Sequence, residues 1–319
     1  MYEQNIKEFS VIRSISTLVT SLSLLMACSN QGPDTGSGGT AASTAAAPGA
    51  ATVGLSISTM DNPFFVALRD GAQAEAKAAG VNLITVDAQN DAAKQIAGVE
   101  DLIQKKVPVI LLNPTDSDAV ANVVKEATAA GIKVISLDRA VNGAEVSSHI
   151  ASDNVAGGKM AGEFLLKKLG KGNLVELEGI PGSSAARERG EGFDSAIAGQ
   201  SGMKVVAKQP ANFDRAQGLT VMENILQGNK DIQGVFAQND EMALGAARAI
   251  EEAGLKNVAI VGFDATADGV AAVKAGKLAA TVQQKPELIG KMGVDTARLL
   301  IDGKPVDRNI PVPLALVTQ

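Results

Sequence analysis

Thiols, imidazoles and large aromatic rings are almost missing from this chain of 319 residues, which has one cysteine, one histidine, one tyrosine and no tryptophan beside eight phenylalanines. A lone cysteine, Cys28, excludes a disulfide within the chain. A lone histidine, His149, leaves no cluster of imidazole and thiolate ligands from which a transition-metal site is built. Basic charge is not in excess either: 29 Lys and Arg stand against 35 Asp and Glu, a net charge of −6. No basic run is interleaved with aromatic residues, so nucleic acid is excluded as a partner. Neither a P-loop nor a GxGxxG follows the first apolar strand pattern. The loop 179–184, Gly-Ile-Pro-Gly-Ser-Ser, lacks the lysine of a phosphate loop and reads as a turn. No cofactor and no metal is expected.

What is present is an ordinary globular composition, 45% hydrophobic and 20% charged, in a length that suits two domains once a leader is removed. The leader is residues 1–27. Its apolar run over 15–27 is too short to span a bilayer, which takes about 20 residues, and fits the core of a signal peptide. It ends in Leu25-Met26-Ala27-Cys28, which resembles the lipobox of bacterial lipoproteins. That resemblance implies an acylated Cys28 and an exported protein held in the periplasm, or on the outer face of the cytoplasmic membrane, through its lipid alone. Residues 28–50 follow as a stretch of Ser, Gly, Thr, Ala and Pro that buries too little apolar surface to order itself, and they read as a flexible tether.

From residue 51 onward, short apolar or β-branched runs alternate with alanine-rich amphipathic stretches, the pattern of βα units. Strands are expected at 52–58, 82–87, 107–113, 133–138, 173–178, 204–209, 234–238, 259–264 and 279–283. Most are continuous apolar runs, as in parallel strands covered by helices on both faces, so the fold class is doubly wound α/β. Asn62-Pro63 opens the first helix, with proline where no hydrogen bond is lost. Asp116, Asp153, Asp214 and Asp240 precede other helical stretches as caps. One series of strands ends near Asp138 and another begins near Asn173, which places a boundary between lobes close to Ser152-Asp153.

Open α/β sheets bind ligands outside the carboxyl ends of their strands. The residues found there are Asn62, Phe64, Phe65, Asn113, Asp138, Arg139, Arg189, Phe213, Asn239 and Asp264. Such a set suits a polyol. Hydroxyls that donate and accept call for Asp, Asn and Arg, and the apolar C–H faces of a sugar call for flat rings. Asp138 and Asp264 balance Arg139 and Arg189, so an uncharged ligand fits better than a phosphate ester. Taken singly, each residue has a plainer alternative. Phe64 and Phe65 fit a core, Asn113-Pro114 a turn, Asp138-Arg139 and Arg187-Glu188-Arg189 surface charge, and Asn239-Asp240 and Asp264 helix caps. Their recurrence at one topological position favours a site.

At these same residues the sequence resembles the ribose-binding proteins of bacterial ABC importers, which belong to the type I periplasmic binding protein family. The resemblance runs from about residue 51 to 319. It is carried by Ser58-Thr59-Met60-Asp61-Asn62-Pro63-Phe64-Phe65, by Asn113-Pro114-Thr115-Asp116-Ser117-Asp118-Ala119-Val120, by Ser184-Ala185-Ala186-Arg187-Glu188-Arg189-Gly190-Glu191-Gly192-Phe193, by Phe236-Ala237-Gln238-Asn239-Asp240 and by Val261-Gly262-Phe263-Asp264. It implies two doubly wound parallel-sheet lobes joined by a hinge crossed three times, one of residues 51–152 plus 285–313 and the other of 153–284 plus 314–319. It also implies that the ten residues above, joined by Gln284 from a hinge strand, hold D-ribose, with Phe64 and Phe65 stacked on one face and Phe213 on the other. The implied partner is the permease of an ABC importer, and the implied state is a monomer. A chemoreceptor is a second reader of the closed form that the resemblance leaves open. The leader and tether, and the tail after Gly303, depart from the family.

Two other classes and one other ligand group compete with this reading. An enzyme lacks a catalytic constellation, since His149 sits in an apparent strand without nucleophile or metal partners. The sugar-sensing core of a transcriptional regulator shares the fold but carries an N-terminal helix-turn-helix, where this chain has a leader. A binding protein for allose, galactose or a furanosyl signalling molecule remains the nearest alternative within the same class.

Overall fold

The computed structural model of the protein describes residues 51–319. Cys28 and the expected leader and tether lie outside the described residues. The chain begins with β1 (Thr52–Ile57), α1 (Pro63–Ala79), β2 (Asn82–Asp87), α2 (Ala92–Gln104), β3 (Val109–Leu112), α3 (Ala121–Ala129), β4 (Lys133–Leu137) and β5 (Ser148–Ser152). It then crosses into a second sheet with α4 (Asn154–Leu169), β6 (Gly172–Glu178), α5 (Ser184–Ile197), β7 (Met203–Pro210), α6 (Arg215–Gly228), β8 (Gly234–Ala237), α7 (Asp240–Glu252), β9 (Ala259–Asp264), α8 (Ala267–Lys274) and β10 (Ala280–Gln283). A second crossing brings it back with α9 (Pro286–Ile301) and β11 (Asn309–Val312), and a third ends it at β12 (Ala315–Thr318).

The first sheet has the order β11-β5-β4-β3-β1-β2 and the second β12-β10-β9-β8-β6-β7. Every described pairing is parallel except that of β10 with β12. The central strands are buried at all or nearly all positions, as in β3 (Val-Ile-Leu-Leu) and β9, because helices cover both faces. Each sheet therefore has two apolar layers. Leu55, Phe65, Ile135 and Ile289 meet on one side of the first sheet, and Leu102, Ile110, Val124 and Val134 on the other. In the second sheet the layers are built around Val235 and Met242, and around Phe193, Phe236 and Phe263. Both sheets reverse strand order at their first strand, so both have a switch point at their carboxyl ends.

Two strands lie where no strand was expected, while β5 falls at the apparent strand that carries His149. β11 contains Pro311, which is tolerated because this strand pairs on one side only, with β5. β12 is a short edge strand with no buried residue. Two expected caps also differ. Asn239, not Asp240, caps α7, its Oδ1 accepting from Met242 N–H at 2.9 Å. Asp116 accepts from Asp118 and Ala119 N–H in the turn before α3, which itself starts without a side-chain cap.

Helices are packed closely where glycines remove the side chain. A Cβ on Gly158 of α4 would lie 2.0 Å from the Arg189 carbonyl oxygen of α5, and one on Gly192 of α5 would lie 2.0 Å from that of Val155. The helix carrying Arg189 is thereby set against the helix that leaves the first crossing.

Candidate functional site

The carboxyl ends of both sheets face one another across a small cavity with about 250 Å³ of empty space, part of it open to solvent. It is lined by Asn62, Phe64, Phe65, Asp138 and Arg139 from one side and by Ala185, Arg189, Phe213, Asn239, Asp264 and Gln284 from the other. Ten of the eleven residues singled out from the sequence are in this wall. The exception is Asn113, which stands behind it. Asn113 is fully buried, its Oδ1 accepting from Ser58 N–H and Oγ–H and its Nδ2 donating to Leu137 O and Asp138 Oδ2. With both ends of its amide spent, it orients Asp138. Ala185, in the first turn of α5, lines the cavity without having been singled out, since alanine carries no polar or aromatic signal. Arg187 and Glu188 stay outside the wall: Arg187 is exposed near Asp118, and Glu188 accepts from Asn154.

Local structure explains how these side chains reach the cavity. Asn62 caps α1 by accepting from Phe64 N–H at 2.9 Å, and Pro63 starts the helix, so Phe64 and Phe65 are fixed in its first turn. Their rings meet edge to face, 5.2 Å apart at 88°, and both are also part of the core beneath. Site and core are alternatives in sequence but not in space. Asn239 likewise serves twice, capping α7 and donating from Nδ2 to Phe213 O at 3.1 Å. Asp138, Phe213 and Asp264 adopt left-handed or related backbone, with φ of 64°, 60° and 111°. Such conformations cost roughly 1–3 kcal/mol each for non-glycine residues and persist where the surroundings over-determine them. At Asp264 the surroundings are visible: buried Asp240 accepts from Thr281 Oγ1–H, Thr266 N–H and Thr266 Oγ1–H and so pins the loop that follows.

The charges form two pairs, one per lobe. Arg139 Nε is 3.8 Å from Asp138 Oδ2, and Arg189 Nη1 is 3.8 Å from Asp264 Oδ1. All four side chains are buried. Arg139 donates to Pro114 O, while Arg189 donates to Asn154 Oδ1 and to Gln238 O. The Phe213 ring lies between the two guanidinium groups, at 5.3 Å from Arg139 and 5.7 Å from Arg189. Burial pushes the Asp264 carboxyl up to about 8 against the opposing pull of Arg189, and raises Asp138 against Arg139. Burial also draws Arg139 down to about 10. In each case desolvation outweighs the partner, so the pairs do not fully compensate one another.

Three buried atoms in this wall have no hydrogen-bond partner among the described residues: Asp138 Oδ1, Arg139 Nε and Gln284 Oε1. Leaving a buried polar group unsatisfied costs about 1–3 kcal/mol, more for a charged one. Two acceptors and a donor held in one cavity match what a sugar's hydroxyls offer. The lobes also touch directly at the rim, where Ser117 N–H donates to Gly182 O, Ser184 N–H to Ser117 Oγ and Ala140 N–H to Ser184 Oγ. The cleft is therefore closed. Among the described residues no group of acidic, histidine or cysteine side chains is placed to hold a metal, and no helix is long and apolar enough to cross a membrane.

Two hinged α/β lobes closed on a buried, charge-balanced polar cavity define a receptor for a small solute. The model of the periplasmic binding protein domain matches residues 53–305, and the chain belongs to that family. The chain is 55% identical over 269 residues to the ribose import binding protein RbsB of Escherichia coli (strain K12), covering 84% of this chain and 90% of that one. It is 50% identical over 309 residues to the protein of the same name in Bacillus subtilis (strain 168), covering 96% and 99%. Among solved structures, an ABC transporter solute binding protein from Mycobacterium smegmatis with bound glycerol superposes with a TM-score of 0.82 at 35% identity, covering 85% of this chain and 94% of that one.

Proposed function

We propose that this chain captures D-ribose by closing its two lobes on the sugar and delivers it to the permease of an ABC importer. The observation that carries the reading is the cavity itself. Two balanced ion pairs and three unpartnered polar atoms are gathered among three phenylalanine rings. A phosphorylated sugar would bring net charge into this balance, and an apolar ligand would leave the polar atoms unserved. The high identity to ribose import binding proteins supports ribose over other uncharged sugars. A sugar resting on Asp138 and Arg139 of one lobe gains contacts to Arg189, Asn239 and Asp264 of the other only in the closed form, and this difference in affinity between the two forms drives closure. The role is capture and handover, not catalysis.

A thermal-shift panel of pentoses and hexoses tests the ligand. D-Ribose at 100 times its dissociation constant is expected to stabilise the protein by about 2.7 kcal/mol. For a domain-sized cooperative unit that raises Tm by about 5–10 °C. A shift with hexoses alone overturns the assignment of ribose, and no shift with any sugar overturns sugar capture.

Export and anchoring complete the reading. The apolar core over 15–27 and the lipobox-like Leu25-Met26-Ala27-Cys28 support a lipoprotein carried on a tether, acting as a monomer outside the cytoplasmic membrane. Cys28→Ala is expected to move the protein from the membrane fraction to the soluble exported fraction. Continued sedimentation with membranes would remove the lipid anchor from the account.

A further inference from the structure

Glu176 lies in the middle of β6 with no exposed surface, between Lys208 of β7 and Phe236 of β8 in the sheet register. Its Oε1 accepts from Gln238 Nε2–H at 2.8 Å, and its Oε2 faces the Lys208 ammonium at 2.9 Å. Asp194 holds that ammonium from the other side, also at 2.9 Å. A pair between a buried carboxylate and an ammonium that is one-third exposed adds little stability over apolar residues of the same volume, so the sheet does not need this one in order to fold. Its neighbour Gln238 is more telling. Gln238 Oε1 accepts from Gly179 N–H at 2.8 Å, its main-chain carbonyl accepts from Arg189 Nη1–H at 2.7 Å, and the next residue, Asn239, lines the cavity. Gly179 in turn supports the Phe213 ring, where a Cβ would come within 2.0 Å of Cζ.

We propose that Glu176 is a positioning residue for the cleft, a carboxylate that accepts from Gln238 through Oε1 while Oε2 pairs with the Lys208 ammonium by charge alone, and that so fixes the Gln238 amide in the one orientation able to serve Gly179 and to seat Arg189 and Phe213. The inference rests on the reading of this cleft as the sugar site. It follows from donor and acceptor inventories. An amide at position 176 has one accepting and one donating end. With Lys208 held in place by Asp194, the accepting end turns to the ammonium and the NH2 turns to Gln238. Gln238 must then present its oxygen to position 176, which sets its own NH2 against Gly179 N–H, donor facing donor. A carboxylate avoids this because neither of its oxygens donates.

The test compares three variants with the full chain by titration calorimetry with D-ribose. Glu176→Gln is expected to weaken binding about tenfold, the scale of one buried donor left unmet. Adding Lys208→Met frees the amide to accept from Gln238 and should restore affinity to within about twofold, the scale on which independent changes add. Glu176→Leu with Lys208→Met leaves no buried charge, so it keeps the fold even where Glu176→Gln alone does not. It offers Gln238 no acceptor, and should also bind about tenfold more weakly. Affinity within twofold of the original chain in Glu176→Gln or in the Leu/Met pair would overturn the proposal, as would a Gln/Met pair as weak as Glu176→Gln. Hydrogen exchange at Gly179 N–H in the sugar-free protein separates this inference from the sugar reading. Faster exchange in Glu176→Gln, reversed in the Gln/Met pair, upholds the positioning role even if the original chain binds no ribose; unchanged exchange overturns it.

Discussion

Asp138→Ala is expected to raise the dissociation constant for D-ribose by at least about a hundredfold. Removing one member of a buried ion pair leaves the other uncompensated, at a cost of about 3–5 kcal/mol, and each 1.4 kcal/mol is a factor of ten. Arg139 is the stranded partner, 2% exposed and with Nε already lacking a hydrogen bond. The penalty falls on the closed form, because an open cleft lets water reach the guanidinium. The sugar loses an acceptor as well, since Asp138 Oδ1 is one of the three atoms that await a partner. Asp138→Asn separates charge from shape: asparagine tolerates the left-handed backbone found here at φ 64°, yet should lose most of the same affinity. Calorimetric titration reads both variants, with melting of the sugar-free protein as the control for folding. Affinity within about threefold of the original, set against the expected cost of a broken buried pair, would take Asp138 out of the site.

Gly158→Ala carries the second large effect, and it acts through the backbone. The added methyl would sit 2.0 Å from the Arg189 carbonyl oxygen, so α4 and α5 must separate. Overpacking of this kind costs about 1–3 kcal/mol, or about 2–12 °C in Tm for a domain of this size. Arg189 travels with α5, so ribose affinity should fall along with stability. Gly228→Ala is the matched control: nothing lies within 4 Å of a Cβ at the end of α6, and alanine is the better helix former. Differential scanning calorimetry distinguishes them, and equal melting temperatures for both variants would contradict the close packing of α4 on α5.

These effects depend on features that the sequence reveals unevenly. Continuous apolar runs such as Val-Ile-Leu-Leu at β3 announce buried parallel strands, and Asn62-Pro63 announces a helix start, because both signals are local. β11 and β12 escape notice because they are short and their pairing is set by the third dimension; only a position at the sheet edge makes Pro311 acceptable. Residue type marks Asp138, Arg139, Arg189 and Asp264 as candidates, and the end of a strand marks their place. Depth has no such marker. Asn113 and Asn62 look alike in sequence, yet one stands behind the wall with its amide fully used and the other lines the cavity. Glu176 gives no sign at all, since its meaning comes from Gln238, 62 residues away in the chain.

The central claim, that one cavity between the lobes satisfies its charges and rings on a neutral pentose, is tested most directly by a crystal structure of the chain with D-ribose. The sugar should lie between Phe64 and Phe65 on one face and Phe213 on the other. Asp138 Oδ1, Arg139 Nε and Gln284 Oε1 should each come within about 3.2 Å of a sugar oxygen. Ribose bound elsewhere, or ribose in this cavity with those three atoms still unpartnered, would contradict the account.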